Sequence, residues 1–203
     1  MTSTTERIRE HIETAPLGQP VTSREFMEYG NRAAVDQALA RLVKAGVLSR
    51  VARGVYVRPK QSPYVGEVPP EPIKVAGAIA AETGSAIQVH GAEAARRMGL
   101  STQVPTRPIF QTSGPSRRFT LGRMEVSLKH VSPRKLAMAE RPAGIALTAL
   151  WYLGKTAVTL ETIEQIESKL PRGEFEALCA STRLMPGWMH DVFVQFKAAA
   201  RHD

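Results

Sequence analysis

The sequence predicts an α+β protein, and three observations carry that prediction. Apolar residues recur at helical spacing through the first 46 residues, and short β-type runs around a glycine turn follow directly. Residues 108–131 then form strand-like runs punctuated by Gly114 and Gly122. From Arg141 onward the pattern is helical again. A length of 203 residues fits one large domain or two small ones. With 43% hydrophobic and 23% charged residues, the composition excludes wholesale disorder.

Thr4-Thr5-Glu6 starts a first helix, in which Ile8 and Ile12 form an i, i+4 pair and which stops before Pro16. Val21 leads into Thr22-Ser23-Arg24-Glu25, a capping-box-like start for a short helix carrying Phe26 and Met27. Gly30 is expected to stop it in the left-handed conformation. A third helix runs from about Asn31 to Gly46, with Val35, Ala38, Leu39, Leu42 and Val43 on one face. Residues 47–51 and 55–57 flank a turn at Ala52-Arg53-Gly54 and read as a hairpin. Helix, helix, turn, helix and hairpin together predict a winged helix-turn-helix over residues 1–60. Pro59, Pro63, Pro69, Pro70 and Pro72 crowd the next stretch, so residues 61–72 read as a Pro-rich linker. Residues 73–203 are expected to form a mixed α/β domain that ends in a helical bundle. Its helices fall at 73–83, 92–98, 143–153, 160–170, 173–184 and 187–201, and its strands at 86–89, 108–112, 118–121 and 126–131.

Several classes of function drop out early. A lone Cys179 cannot form an internal disulfide, which argues for a reducing compartment. The N-terminal MTSTTERIREHIETA has no apolar core of a signal peptide, and no run reaches the ~18 apolar residues of a membrane span, so a soluble cytoplasmic protein is expected. His11, His90, His130, His190 and His202 show no metal-ligand spacing. Cys179, within a helical stretch, reads as a buried structural thiol. The loop from Thr112 to Arg118 could hold an anion, but it lacks the P-loop pattern and reads more simply as a basic turn. Glu161, Glu164 and Glu167 read as a solvated helix face. Met185, Trp188, Met189, Val192, Phe193 and Phe196 form an apolar stripe, for core packing or for a partner. No enzyme, metal or cofactor is expected from these residues.

The charge points elsewhere. The formal net charge is +8, unevenly spread. Residues 1–60 hold 10 Lys and Arg against 6 Asp and Glu, residues 61–140 hold the same, and residues 141–203 hold 7 of each. Such an excess favours a polyanionic partner. On the third helix the positions opposite the core are Arg32, Ala33, Asp36, Gln37, Ala40 and Arg41. Asn31, Arg32, Asp36 and Gln37, near its start, are the candidates for base contacts in a major groove. Arg pairs with guanine, and Gln or Asn with adenine, in bidentate fashion; Asp36 either accepts from cytosine or orients Arg32. Arg41, Lys44, Arg50, Arg53, Arg58 and Lys60 are the candidates for phosphate contacts, with Arg53 at the hairpin tip, and Arg24 is a further DNA-binding candidate. Basic runs are often only solvated surface. Here the helix-turn-helix rhythm coincides with a stretch, 41–60, that has no acidic residue.

Leu39-Ala40-Arg41-Leu42-Val43-Lys44-Ala45-Gly46-Val47-Leu48, followed by Val51-Ala52-Arg53-Gly54-Val55-Tyr56-Val57, resembles the N-terminal domain of AbiEi-type antitoxins. These belong to bacterial abortive-infection (type IV) toxin–antitoxin systems. The stretch from His90 to Pro105, with its turn Gly99-Leu100-Ser101-Thr102-Gln103-Val104-Pro105, resembles the antitoxin C-terminal domain. The resemblance continues through residues 108–114 and 130–136. It implies autorepression at inverted repeats in double-stranded operator DNA, by a monomer or a DNA-assembled dimer. It also implies a cognate nucleotidyltransferase-like toxin as partner, counteracted through the C-terminal domain. A second basic surface is implied at Arg107, Arg117, Arg118, Arg123, Lys129, Arg134 and Lys135, opposed only by Glu125. The alternatives are a stand-alone regulator whose C-terminal part senses a ligand or dimerises, and an RNA-binding or nucleotide-acting protein.

Overall fold

The computed structural model describes residues 3–64 and 66–199, which form a mixed α/β fold. The chain divides into two compact units: residues 1–85 with 117–127, and residues 86–116 with 128–203.

The first unit opens with α1 (Thr4–Thr14). Ser3 caps it, not the threonines: its hydroxyl accepts from Glu6 N, and Glu6 reaches back to Ser3 N at 2.7 Å, a complete capping box. A short strand that the sequence pattern hides, β1 (Pro20–Thr22), comes next. Glu25 does reach back to the Thr22 N–H at 2.8 Å, but no α-helix follows. The chain makes turns and a single 3₁₀ turn, Met27–Tyr29. Only four residues separate Glu25 from Gly30, and tertiary contacts claim them. Phe26 is buried in the core, and Tyr29 meets His11 Nδ1 at 3.0 Å while the Arg7 guanidinium lies over its ring. Gly30 is extended, with φ 168°, rather than left-handed. The site is crowded instead: a Cβ there would lie 3.1 Å from Thr4 Oγ1, so the threonine would have to give by a few tenths of an ångström.

α2 (Arg32–Lys44) begins at Asn31, whose Oδ1 accepts from Ala34 N at 2.9 Å, and ends at Gly46, which is left-handed (φ +72°). Hairpin strands β2 (Ser49–Ala52) and β3 (Val55–Val57) follow. β3 is central: β1 and β2 both pair with it antiparallel, in the order β1-β3-β2. Ile8, Ile12, Phe26, Val35, Leu39, Leu42 and Leu48 close one core beneath these elements. Each such side chain contributes on the order of 1.5–3 kcal/mol by burial.

The expected linker is structured in part. β4 (Lys60–Ser62) and β5 (Gly66–Val68) pair as a two-stranded ladder, and Ser49 Oγ donates to Glu67 at 3.1 Å. α3 (Pro72–Glu82) starts with proline at its first position and packs on β1 and β3. Thus α3, expected in the second domain, groups with the first unit.

In the second unit β6 (Ile87–Val89) pairs antiparallel with β7 (Ile109–Thr112). β8 (Arg117–Leu121) and β9 (Met124–His130) complete the strand order β6-β7-β9-β8; the boundary between the units falls within β9, after Ser127. The helices are α4 (Gly91–Arg97), α5 (Pro142–Leu153), α6 (Leu160–Lys169), α7 (Arg172–Ala180) and α8 (Gly187–Ala199). The expected helix over 173–184 ends early, in a 3₁₀ turn at Ser181–Leu184, and Arg201 lies outside the described residues. α5 is the hub: it packs on α4, α7 and β6, and Ala146, Leu147, Ala149 and Leu150 are wholly buried. Two glycines permit this packing. A Cβ on Gly91 would lie 2.3 Å from Tyr152 Cβ, and one on Gly144 would lie 1.9 Å from the Met138 carbonyl oxygen. Met185, Met189 and Phe193 are buried core, so that part of the terminal stripe needs no partner.

Two measurements check this packing. Gly144→Ala forces a Cβ into backbone that cannot swing aside, and should lower stability by at least about 1–3 kcal/mol. Both tryptophans, Trp151 and Trp188, lie in the second unit, so fluorescence-detected urea unfolding reads it directly. The second concerns Glu93, whose carboxylate accepts from Arg96 (2.8 Å) and Arg97 (2.8 Å). These bonds, Arg96 first, hold its pKa at about 2 against an ordinary 4.5. A depressed carboxylate stabilises the fold above its unfolded pKa. That contribution should be complete above pH 4.5 and fade as pH falls toward 2. Glu93→Gln should flatten the stability profile across that window, and an unchanged slope would show the fork to be idle.

Candidate nucleic-acid interface

α2 buries Val35, Ala38, Leu39 and Leu42 and turns the opposite face outward. Arg32, Asp36, Gln37, Arg41 and Lys44 are all exposed there. Arg32 Nε donates to Asp36 Oδ2 at 3.0 Å, with the two side chains 58% and 50% exposed. A pair this open is worth at most about 1 kcal/mol, so it aims the guanidinium without trapping it. Of the two roles open to Asp36, the structure contains the orienting one. Asn31 also caps the helix: its carbonyl oxygen accepts from Ala34 N, which leaves the amide NH₂ and the oxygen's second lone pair for another partner.

The hairpin tip is Arg53-Gly54, between paired Ala52 and Val55. Gly54 has φ +76°, and its carbonyl accepts from the Ser23 N–H at 2.8 Å. Glu82, at the end of α3, holds the other side of that contact: its Oε1 accepts from Arg24 N at 3.1 Å and from Ser23 Oγ at 3.4 Å. A Cβ on Gly54 would come within 3.3 Å of Ser23 Oγ and 3.5 Å of the Glu82 carboxyl. The tip is therefore fastened through backbone, and the Arg53 side chain stays exposed. No local signal in the sequence marks Glu82 for this role, since its partners lie some 58 residues away along the chain.

Around this tip a concavity of about 440 Å³ is lined by Arg32, Asp36, Arg50 and Arg53, with Ala40, Val43, Gly54 and Tyr56. Arg50 is exposed on β2, where the register shifts between Arg50 and Ala52, and its Nε reaches the Ala52 carbonyl at 3.4 Å. Arg58, by contrast, is tied down: its Nη1 donates to the carbonyl oxygens of Glu13 (2.8 Å) and Ala15 (3.4 Å) at the end of α1. It fastens a helix end through Nη1. Arg24 is exposed, with its backbone committed to Glu82.

The residues of the expected second basic surface are drawn from both units. Arg117, Arg118 and Arg123 group with the first unit, whereas Arg107, Lys129, Arg134 and Lys135 belong to the second. Arg134 donates to the carbonyl oxygens of Leu184 (2.7 Å) and Met185, and Lys135 Nζ sits 5.1 Å above the Trp151 ring. Both thus have a partner within the protein, although Arg134 is exposed. Arg107 and Lys129 are exposed. A charge count along the chain cannot separate a guanidinium that caps carbonyls from one that faces water.

The remaining candidate groups have local roles. In the 112–118 loop, Gly114 N donates to Thr112 Oγ1 and Ser116 Oγ accepts from His130 N, so these polar atoms satisfy one another. His90 caps α4, accepting from Ala92 N at 3.4 Å; burial first, then Lys129, lowers its pKa and favours the neutral acceptor. His11 meets Tyr29, and His190 lies 3.6 Å from Asp191. His202 lies outside the described residues. Burial raises the Cys179 thiol pKa, opposite to what activates a nucleophile. Glu161, Glu164 and Glu167 are exposed. Among the described residues, no group of His, Cys, Asp or Glu is arranged to hold a metal ion, and no helix is long and apolar enough to cross a membrane.

The anchoring of the tip is open to test. Glu82→Ala strands the buried Ser23 hydroxyl and the Arg24 N–H, at a cost of about 1–3 kcal/mol. The Ser23 amide, bonded to Gly54, should exchange with solvent faster in that variant. Unchanged exchange would mean that the tip holds itself.

Among solved structures, the RV2827C protein from Mycobacterium tuberculosis aligns with 90% of this chain and 76% of its own, at 15% sequence identity and a TM-score of 0.42. No curated protein matches the sequence. Residues 7–178 match DUF6088, a family of unknown function, and the chain belongs to that family.

Proposed function

We propose that residues 1–60 are a winged helix-turn-helix that binds double-stranded operator DNA, with α2 in the major groove and the Arg53-Gly54 tip as the wing. The observation that carries this reading is a shared concavity. The outward face of α2 and the hairpin tip line one hollow together, with Arg32, Arg50 and Arg53 around it and Asp36 as its one carboxylate. An apolar core behind α2 leaves that face free for bases. The hairpin is part of a three-stranded sheet in the order β1-β3-β2, which supports reading it as a wing. Gln37 and Arg32 are the base-reading residues in this account, and Arg41, Lys44, Arg50 and Arg53 the phosphate contacts.

The wider role rests on the resemblance to AbiEi-type antitoxins. In this reading the chain is a cytoplasmic binding protein, not an enzyme. It represses its own toxin–antitoxin operon at inverted repeats and counteracts a nucleotidyltransferase-like toxin through residues 73–203. The Gly99–Pro105 turn that carries the resemblance is open to a partner, with Thr102, Gln103 and Val104 exposed. A second reading, a stand-alone regulator with a ligand-sensing C-terminal part, is favoured by one observation. A hollow of about 430 Å³ in the second unit is lined by Phe175, Cys179, Ala180 and Phe196, with Glu167, Glu176 and Lys197 at its edge. Co-expression separates the two: the antitoxin restores growth against the toxin encoded beside it, and the stand-alone regulator does not.

Arg32→Ala should cost about 1–3 kcal/mol of discrimination between operator and scrambled duplex. Arg53→Ala should instead weaken both duplexes alike and flatten the salt dependence by about one contact. Quantitative gel shifts across a salt series read both. If Arg32→Ala left discrimination intact, α2 would not be the reading helix.

A further inference from the structure

Arg53 lines two hollows. Besides the concavity beside α2, it borders a second one of about 360 Å³, whose other walls are Ala52, Ile79, Arg117, Arg118 and Phe119. Every one of these residues belongs to the first unit. Arg117, Arg118 and Phe119 arrive on β8, which follows residues 86–116 of the second unit in the chain and packs against β2.

The lining has a definite chemistry. Three arginines are among the residues that line one small volume, and no carboxylate lines it. Among the described residues, none of the three forms an ion pair. Glu82, on the same helix as Ile79, has its Oε1 committed to Ser23 and Arg24. Cations around one hollow repel one another, and a dianion relieves that repulsion while offering acceptors for the planar donor forks. The rest of the lining is apolar. Ile79 is buried, Phe119 is half-buried, and together with Ala52 they offer a surface that bare phosphate does not use. A sugar or base does use such a surface, by apolar contact and stacking.

We propose that this hollow, formed by Arg53, Arg117, Arg118, Ile79 and Phe119, is a binding site for the phosphate of a nucleotide. Two sources carry that chemistry, the DNA backbone and a free nucleotide, and the shared Arg53 makes their consequences opposite. A backbone phosphate in the hollow adds contacts to a duplex already held by α2, so the site strengthens DNA binding. A free nucleotide occupies Arg53 and takes a contact from the duplex, so it releases DNA. The proposal extends the DNA-binding reading, but occupancy of the hollow does not depend on it.

The test uses the full chain and the exposed double substitution Arg117→Gln/Arg118→Gln, with Arg117→Lys/Arg118→Lys retaining charge without the planar forks. Titration with AMP, followed by the arginine Nε–H NMR signals and without DNA present, should shift Arg53, Arg117 and Arg118 saturably by about 10 mM if a free nucleotide is the ligand. The Gln variant should weaken that binding at least tenfold and the Lys variant should restore it only in part, and AMP should then release duplex from the wild type. If the backbone is the ligand, the Gln variant should bind operator and scrambled duplex equally more weakly, with a log–log salt slope shallower by about two. An absence of AMP shifts together with an unchanged salt slope overturns the proposal. Failure of the wild type to bind any duplex would sink the DNA-binding reading alone, because the AMP titration still decides the hollow.

Discussion

A single carboxylate oxygen, Glu82 Oε1, positions the candidate interface. A three-residue strand paired to a four-residue one has little rigidity of its own. Its tip holds a fixed place because Gly54 is bonded to Ser23, and because Ser23 and Arg24 are in turn bonded to Glu82. Glu82 sits at the end of a helix that packs on the same sheet, so the tie closes a loop of contacts that begins and ends at β3. Gly54 is part of the same constraint, since its left-handed φ and the closeness of Ser23 and Glu82 both disfavour a side chain. With the tip held by backbone, Arg53 is left with no structural duty, and a side chain so placed can serve a ligand.

The arginines show how far position overrides residue type. Arg58 and Arg134 spend their donors on carbonyl oxygens at a helix end and at a chain turn. Arg96, Arg97 and Arg141 fork onto Glu93 and Glu174. Arg53, Arg117 and Arg118 have no such partner among the described residues and are among the residues that line one hollow. All carry the same formal charge, but only the last group has guanidiniums whose engagement by an anion would break nothing already made. The net charge of +8 therefore overstates the surface available to a polyanion.

Much of the first unit was legible in the sequence. The Ile8–Ile12 pair, the Val35-to-Leu42 stripe and the valines around Arg53-Gly54 each follow from periodicity, and each became the expected element. Three features were not legible. β1 is three residues long and wholly buried, so it shows no alternation, and it exists only because β3 offers it an edge. The residues after Glu25 carry a helix-start signal, yet Phe26 and Tyr29 are drawn into aromatic contacts with His11 that a helix would not serve. Proline density near Pro63 and Pro69 suggested a linker, whereas strand pairing needs only the donors that the non-proline residues still supply. For the candidate site, the faces of α2 were readable from spacing. The grouping of Arg117 and Arg118 with Arg53 was not, because it depends on a strand returning to the first unit after residues 86–116.

The central claim, that α2 and the hairpin tip form a DNA-binding face, is tested most directly by amide NMR shifts of the isotope-labelled chain on titration with duplex from its own promoter. The account predicts that the largest shifts cluster on residues 31–41 and 49–54, with residues 160–199 unmoved. Shifts concentrated in residues 160–199, with α2 and the hairpin silent, would contradict it.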